Sequence, residues 1–291
     1  MKRKNFHDFL LNEYSNHLML KSKNYYDSTK YYIHLIVENS ENISINDIDF
    51  KYCSDLIVRF KSLKKSTNRL IILLKSVLHF AYDLNLINNI SFLKKFKREY
   101  KVKRKKVFLE KKELEDVLNF FEQSDKELFY IIKFLTASAL RVNDLLEIKF
   151  ESINENFINF KNHKRNIFCK LILNNELKDI INYQKIKLKS IRENKKNFNK
   201  ENYLFFNAAG KKYEYHILQH RLLQYKKMRL HFHIFRHTCA AIMREQDFSI
   251  EMISKKLHHA NISTTTMYYL HDTEEKIKND FKKFAEMQIL K

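Results

Sequence analysis

The stretch HFHIFRHTCAA, residues 231–241, sets three histidines and an arginine within seven positions. Histidine titrates near neutral pH, and arginine offers a planar, permanently charged fork that matches phosphate. Such a cluster serves either a metal ion or an anionic substrate. His233 and Arg236 are three apart, so on a helix they share a face. A zinc site would have to draw on His231, His233 and His237, yet residues 231 and 233 point to different faces of a helix and no acidic residue sits close by. Two other stretches add candidates. TASALRVNDLLEI holds Arg141 in an otherwise apolar run, where a buried arginine needs an anion or a carboxylate such as Asp144. KLHHANISTTTMYYLHD supplies His259 and, nine residues later, Tyr268.

The composition narrows the substrate. Lys plus Arg total 55 against 34 Asp plus Glu, a formal net charge of +21 on 291 residues. That excess favours a polyanion, nucleic acid before membrane, even though a lysine-rich proteome contributes part of it. A hydrophobic content of 44% is that of a folded protein with one large core or two modest ones. The cysteines Cys53, Cys169 and Cys239 form no CxxC pair, so a disulfide framework and a cysteine-based zinc site are both excluded. With one Gly and no Pro, glycine-rich phosphate loops are absent, and with them the common ATP and dinucleotide folds. There is no secretory signal and no apolar run long enough to span a bilayer, so the expected location is cytoplasmic, on the nucleoid.

The elements that must hold these residues come in two blocks. Phe6, Phe9, Leu10, Tyr14 and Leu18 recur at helical spacing. Ser28 is a candidate cap for a second helix bearing Tyr32, Leu35 and Ile36, and a third carries Leu56, Ile57, Phe60 and Leu63. Ser66 precedes a fourth through Leu70, Leu74, Val77, Leu78 and Ala81, enough for a small helical bundle. The run KKFKREYKVKRKK, residues 94–106, is almost wholly cationic; it reads as a solvated linker that can also lie along a phosphate backbone. Beyond it, Glu113 to Phe121, Leu128 to Leu135 and Val142 to Ile148 look helical. Between Phe150 and Leu173 the period shifts towards two in FESI, FINF and NIFCKLIL, with turns at Asn154 to Asn156 and Asn162 to Lys164. The expected fold is mainly α with a small antiparallel β-sheet, an α+β arrangement.

Three boxes in this order carry a resemblance. ALRVNDLL resembles the first arginine box of the tyrosine recombinases, the phage-integrase family, with Arg141 at the catalytic arginine and Asp144 at its acidic position. HIFRHTCAA is similar to the family's H-x-x-R-H-T box, and LHHANISTTTMYY to its L-G-H box followed by S-T-T-x-x-Y. His259 follows Arg236 by 23 residues and Tyr268 follows His259 by 9, spacings that suit the family. Ala139 and His258 stand where the family usually has glycine, and Cys239 where it often has an aromatic. Adjacent His258 and Tyr269 are the alternatives to His259 and Tyr268.

The resemblance implies a catalytic set of Arg141, Lys161, His233, Arg236, His259 and Tyr268, with no metal and no cofactor. Tyr268 would be the nucleophile and the arginines the clamp on phosphate. Lys161, at the FINF-KNHK turn, would protonate the leaving oxygen, with Lys164 as runner-up. It also implies a domain plan: residues 1–98 as a helical core-binding domain, 99–107 as the basic linker, and 108–291 as the catalytic domain, ending in a helix at 273–291 that docks in trans. Lys103, Arg104, Lys105 and Lys106 of the linker would meet DNA. The two domains would form a C-shaped clamp on double-stranded DNA, with a homo-tetramer on two recombination sites and a Holliday-junction intermediate. The short length points to an Xer-like enzyme of chromosome segregation, with a DNA translocase as a further partner, or to integration and excision of a mobile element. The alternatives are type IB topoisomerase-like DNA relaxation and a catalytically silent DNA-binding relative.

Overall fold

With one glycine and no proline to punctuate it, the chain ends its helices and turns largely on other residues in the left-handed region. In the computed structural model Lys64, Asn85, Ala139, Asn166, Asn199, Asn202, Asp247 and His258 all have positive φ. Asparagine and aspartate tolerate this conformation because their short side chains bond locally; alanine and histidine take it at a cost of about 1 kcal/mol. Gly210 is needed where it stands. Its φ is +72°, and an added Cβ would lie 2.5 Å from the backbone nitrogen of Asn199. The structure describes residues 4–98, 108–162 and 166–258. The chain divides into two compact units, Met1–Lys103 and Arg104–Lys291.

The regular elements of the first unit are helices, with one isolated bridge between Asn5 and Ser44 among the described residues. Its opening helix runs as α1 (Phe6–Phe9), a π-helical turn (Leu10–Tyr14) and α2 (Ser15–Leu18). It is followed by α3 (Lys23–Asn39), α4 (Phe50–Ser62) and α5 (Thr67–Asp83). Asp49 caps α4 by accepting from the Tyr52 N–H at 2.7 Å, and Ser66 caps α5 at Arg69. The apolar stripes expected from the sequence meet in one core of Phe6, Phe9, Tyr14, Ile33, Phe60 and Val77. Ser28 is not a cap. It lies inside α3, where its hydroxyl donates to the Tyr25 carbonyl at 3.1 Å, and Ser22 takes the N-cap position.

In the second unit α6 (Lys111–Ser124) starts with a reciprocal capping box between Glu110 and Glu113. Asp125 caps α7 (Lys126–Ser138) through the Leu128 N–H and also takes a two-pronged bond from Arg221. Nearly every face of α7 is apolar, and Leu128, Ile131, Ile132, Phe134 and Leu135 are wholly buried, so it forms the axis of this core. After α8 (Val142–Leu146), β1 (Phe157–Asn162) and β2 (Ile167–Ile172) pair antiparallel, with Phe157 opposite Ile172 and Asn162 opposite Ile167. Then come α9 (Asn175–Asn194), α10 (Tyr215–Leu222), α11 (Phe232–Glu245) and α12 (Ile250–Lys256).

The FESI segment departs from the strand expectation. Phe150–Ser152 is a 3-10 turn, closed by the Ser152 hydroxyl donating to the Lys149 carbonyl at 2.7 Å. Only single bridges flank it, Lys149 to Tyr203 and Ile153 to Ile158. The sheet among the described residues is therefore one hairpin.

One core residue is out of place. Gln184 of α9 is fully buried, and neither its Oε1 nor its Nε2 has a hydrogen-bond partner among the described residues. A buried, unmatched amide costs roughly 1–3 kcal/mol. Gln184→Met keeps the volume and removes both polar atoms, so the urea midpoint is expected to rise by an amount equivalent to about 1–2 kcal/mol. A fall would show that the amide has a partner in solution.

Candidate active site

Three segments distant in sequence converge through one side chain. Arg236 emerges from the start of the second turn of α11 and is only 4% exposed. Its Nη1 donates to the Ala139 carbonyl and its Nη2 to the Leu257 carbonyl. Ala139 is the left-handed residue (φ 58°) that ends α7, two positions before Arg141. Leu257 closes α12, two positions before His259. A charged fork spread over two carbonyls holds both turns to α11. Ala139, Cys239, Ala240, Ile253 and Leu257 pack as a small cluster around it.

Arg141 occupies the N-cap position of α8, with extended backbone. Its side chain is 19% exposed, and Nη1 lies 3.8 Å from Oδ2 of Asp144, which is 3% exposed. That Nη1 is buried without a hydrogen bond among the described residues.

The histidines separate by role. His231 is the N-cap of α11 and stands outside the helix, while His233 is exposed in its first turn. His237 turns inward, its ring centroid 6.5 Å from that of His233. The three do not group as a metal site, and among the described residues no set of three potential ligands does so. Burial, with the charges of His233, Arg236 and His231 added, pushes the His237 pKa down to about 4. It is therefore neutral at physiological pH. The unfolded value is 6.5, so its contribution to stability is complete above pH 6.5 and is lost as pH falls towards 4. Between about pH 7 and about pH 5 this unit is expected to lose roughly 2 kcal/mol at this residue. Urea unfolding at the two pH values should show that loss, and His237→Gln should remove most of it.

His258 takes φ 47°, and its ring meets Phe160 of β1 edge-on, at a centroid distance of 5.2 Å. The hairpin is thereby held against the turn that precedes His259. Both positions where glycine was expected, Ala139 and His258, do adopt the glycine-favoured conformation. Lys161 lies in strand β1 rather than in the turn, exposed and opposite Phe168. His259, Tyr268, Tyr269, Lys164, the linker residues Lys103, Arg104, Lys105 and Lys106, and the helix expected at 273–291 lie outside the described residues.

Two contributors were not singled out from sequence. Thr238 is fully buried; its Oγ1 accepts from the Leu109 N–H at 2.9 Å and donates to the Ile234 carbonyl at 2.8 Å, tying the start of this unit to α11. Its signal was available, since a threonine nearly two turns into an apolar helix face needs a polar partner. Lys256 reaches in beside Cys239, and burial lowers its pKa.

The comparisons bear on the family and the fold of this chain. The model of the phage integrase family matches residues 107–276, more than half of the sequence. The chain belongs to the phage integrase family. A probable integrase/recombinase of Acholeplasma phage L2 is 28% identical over 158 residues, which cover 53% of this chain and 52% of that protein. Transposase A of transposon Tn554 from Staphylococcus aureus is 33% identical over 54 residues, 19% of this chain and 15% of that one. The chain thus spans about half the length of the first of these relatives and less of the second. Among solved structures, a lambda integrase tetramer bound to a Holliday junction superposes with a TM-score of 0.74 at 14% identity, over 92% of this chain and 78% of that one. The Tn1549 transposon integrase in complex with circular intermediate DNA gives 0.69 at 15% identity, over 94% and 98%. At these identities the likeness is one of fold.

Proposed function

We propose that this protein is a site-specific DNA recombinase that cleaves and rejoins duplex DNA through a covalent tyrosine intermediate. The Tyr268 hydroxyl attacks a phosphodiester; its oxygen bonds to phosphorus as the bond to the 5′ oxygen breaks, leaving a 3′-phosphotyrosine and a 5′ hydroxyl. Arg141 and Arg236 stabilise the charge that builds on the non-bridging oxygens. Lys161 donates the proton to the leaving 5′ oxygen, and His233 and His259 bond phosphate or take the tyrosine proton. Rejoining is the same step reversed on another 5′ hydroxyl, so no cofactor is consumed.

The observation that carries this reading is the Arg236 fork, which holds the turns leading to Arg141 and to His259 on one helix end. In the fuller scheme four copies act on two sites through a Holliday junction, with the basic linker along the backbone and the terminal helix docked in trans. The relatives are a probable integrase/recombinase of a phage and a transposase, which favours mobile-element DNA over chromosome dimer resolution as the substrate. A library of nicked suicide duplexes, whose cut strand diffuses away, tests the reading. A trapped adduct is expected with the DNA on the peptide containing Tyr268; attachment at Tyr269, or no adduct, counts against it.

A further inference from the structure

Of the described residues with positive φ other than glycine, His258 alone carries a ring. Most of the others are asparagine or aspartate, whose side chains bond locally and tolerate the conformation. A bulkier residue kept in this region points to a contact that holds it there. That contact is with the hairpin. The imidazole lies edge-on to Phe160, at a centroid distance of 5.2 Å and an interplanar angle of 76°. Phe160 is buried in the core of the second unit, so the ring that His258 meets has little room to shift. The residue after Phe160 is Lys161, and the residue after His258 is His259. One aromatic contact thus joins the strand that bears Lys161 to the turn that leads to His259. The turn has a second anchor one residue earlier, where the Leu257 carbonyl accepts from Arg236.

We propose that His258 is a positioning residue for proton transfer, its ring on Phe160 fixing where Lys161 stands relative to the turn before His259. The inference rests on the recombinase reading, which gives Lys161 the proton of the leaving group. A two-stranded hairpin is marginal by itself, so its placement depends on contacts with the rest of the unit. At the start of β1 these are the bridge from Ile153 to Ile158 and the burial of Ile158. Two residues on, beside Lys161, the contact of Phe160 with His258 takes over. Successive residues of a strand are only about 3.3 Å apart, so a shift of Phe160 passes to Lys161 almost unreduced. A displacement of about 1 Å in a reacting group costs up to about a hundredfold in rate. The role belongs to the ring and not to its charge. Glycine at this position would take the backbone conformation without strain but would remove the contact with Phe160.

The test uses the full chain on a suicide duplex that carries either oxygen or sulfur at the 5′ bridging position of the cleaved bond. With oxygen, the bond from phosphorus to the 5′ oxygen breaks as Tyr268 bonds to phosphorus, and Lys161 hands its proton to the departing oxygen. With sulfur the group leaves as a thiolate and needs no donor, since thiols ionise at about pH 8.5. His258→Gly is expected to slow adduct formation about tenfold on the oxygen duplex and less than about twofold on the sulfur duplex. His258→Phe keeps a ring and should recover most of the oxygen rate. Added to Lys161→Ala, His258→Gly should slow the oxygen reaction no further, because both act on one step. Equal slowing on the two duplexes, an unchanged oxygen rate, or a His258→Phe rate no better than that of His258→Gly would each overturn the proposal. Hydrogen exchange of Phe157–Asn162 in the free protein reads the contact without the chemistry. His258→Gly should speed it severalfold, and unchanged exchange would also overturn the proposal. A parent that forms no adduct on either duplex would end the recombinase reading and this role with it. A parent that cleaves while His258→Gly slows both duplexes alike ends this role alone.

Discussion

Arg236→Ala is expected to slow covalent-adduct formation by about a hundredfold to a thousandfold and to weaken the fold of the second unit as well. On the proposed mechanism the rate loss follows from removing a fixed charge that stabilises a developing oxyanion, worth about 3–4 kcal/mol. The stability loss has a different source. The guanidinium is 4% exposed and bonds the carbonyls of Ala139 and Leu257, so alanine leaves both acceptors without their donor. Each buried, unmatched carbonyl costs about 1–3 kcal/mol. Urea unfolding and single-turnover cleavage, measured on the same preparation, separate the two effects. Arg236→Lys keeps the charge but not the two-pronged geometry, and it should recover little of either. If the folded fraction of Arg236→Ala cleaved within about tenfold of the parent, Arg236 would be a structural strut and the clamp would lose a member.

The sequence was more informative about the element that bears His233 and Arg236 than about what surrounds them. His233 and Arg236 were legible because a helix turns an i, i+3 spacing into one face, and α11 does cover that stretch. What Arg236 grips was not legible. Its acceptors lie 97 and 21 residues away and are backbone carbonyls, which carry no residue-type signal. The helical periods of the first unit were read correctly at Ser66, where an apolar stripe begins directly after the cap. They misled at Ser28, because α3 starts before its apolar stripe is evident. FESI alternates like a strand, yet a serine hydroxyl bonded to the backbone three residues back closes it into a turn. For β2 the alternation is too weak to orient it. IFCKLI is apolar on both faces, and a shift of one residue would have buried Phe168 instead of exposing it.

Arg141→Ala is expected to cut the cleavage rate by about a hundredfold or more while binding to duplex DNA falls far less. The rival account makes Arg141 only the counter-ion of Asp144, from which its Nη1 is 3.8 Å away. The two accounts diverge in a double mutant. Asp144 is 3% exposed, so removing Arg141 takes the guanidinium away from a buried carboxylate and should cost about 1–3 kcal/mol of stability. Adding Asp144→Asn removes the charge that was left behind and should restore most of that stability. It should restore none of the rate, because the proposed clamp still lacks one of its two arginines. Asp144→Asn alone should cost at most about tenfold in rate, through a looser Arg141, since the guanidinium itself remains. A double mutant that regains cleavage along with stability would show that Arg141 serves only to neutralise Asp144, and Arg236 would then have to stabilise the transition state without it.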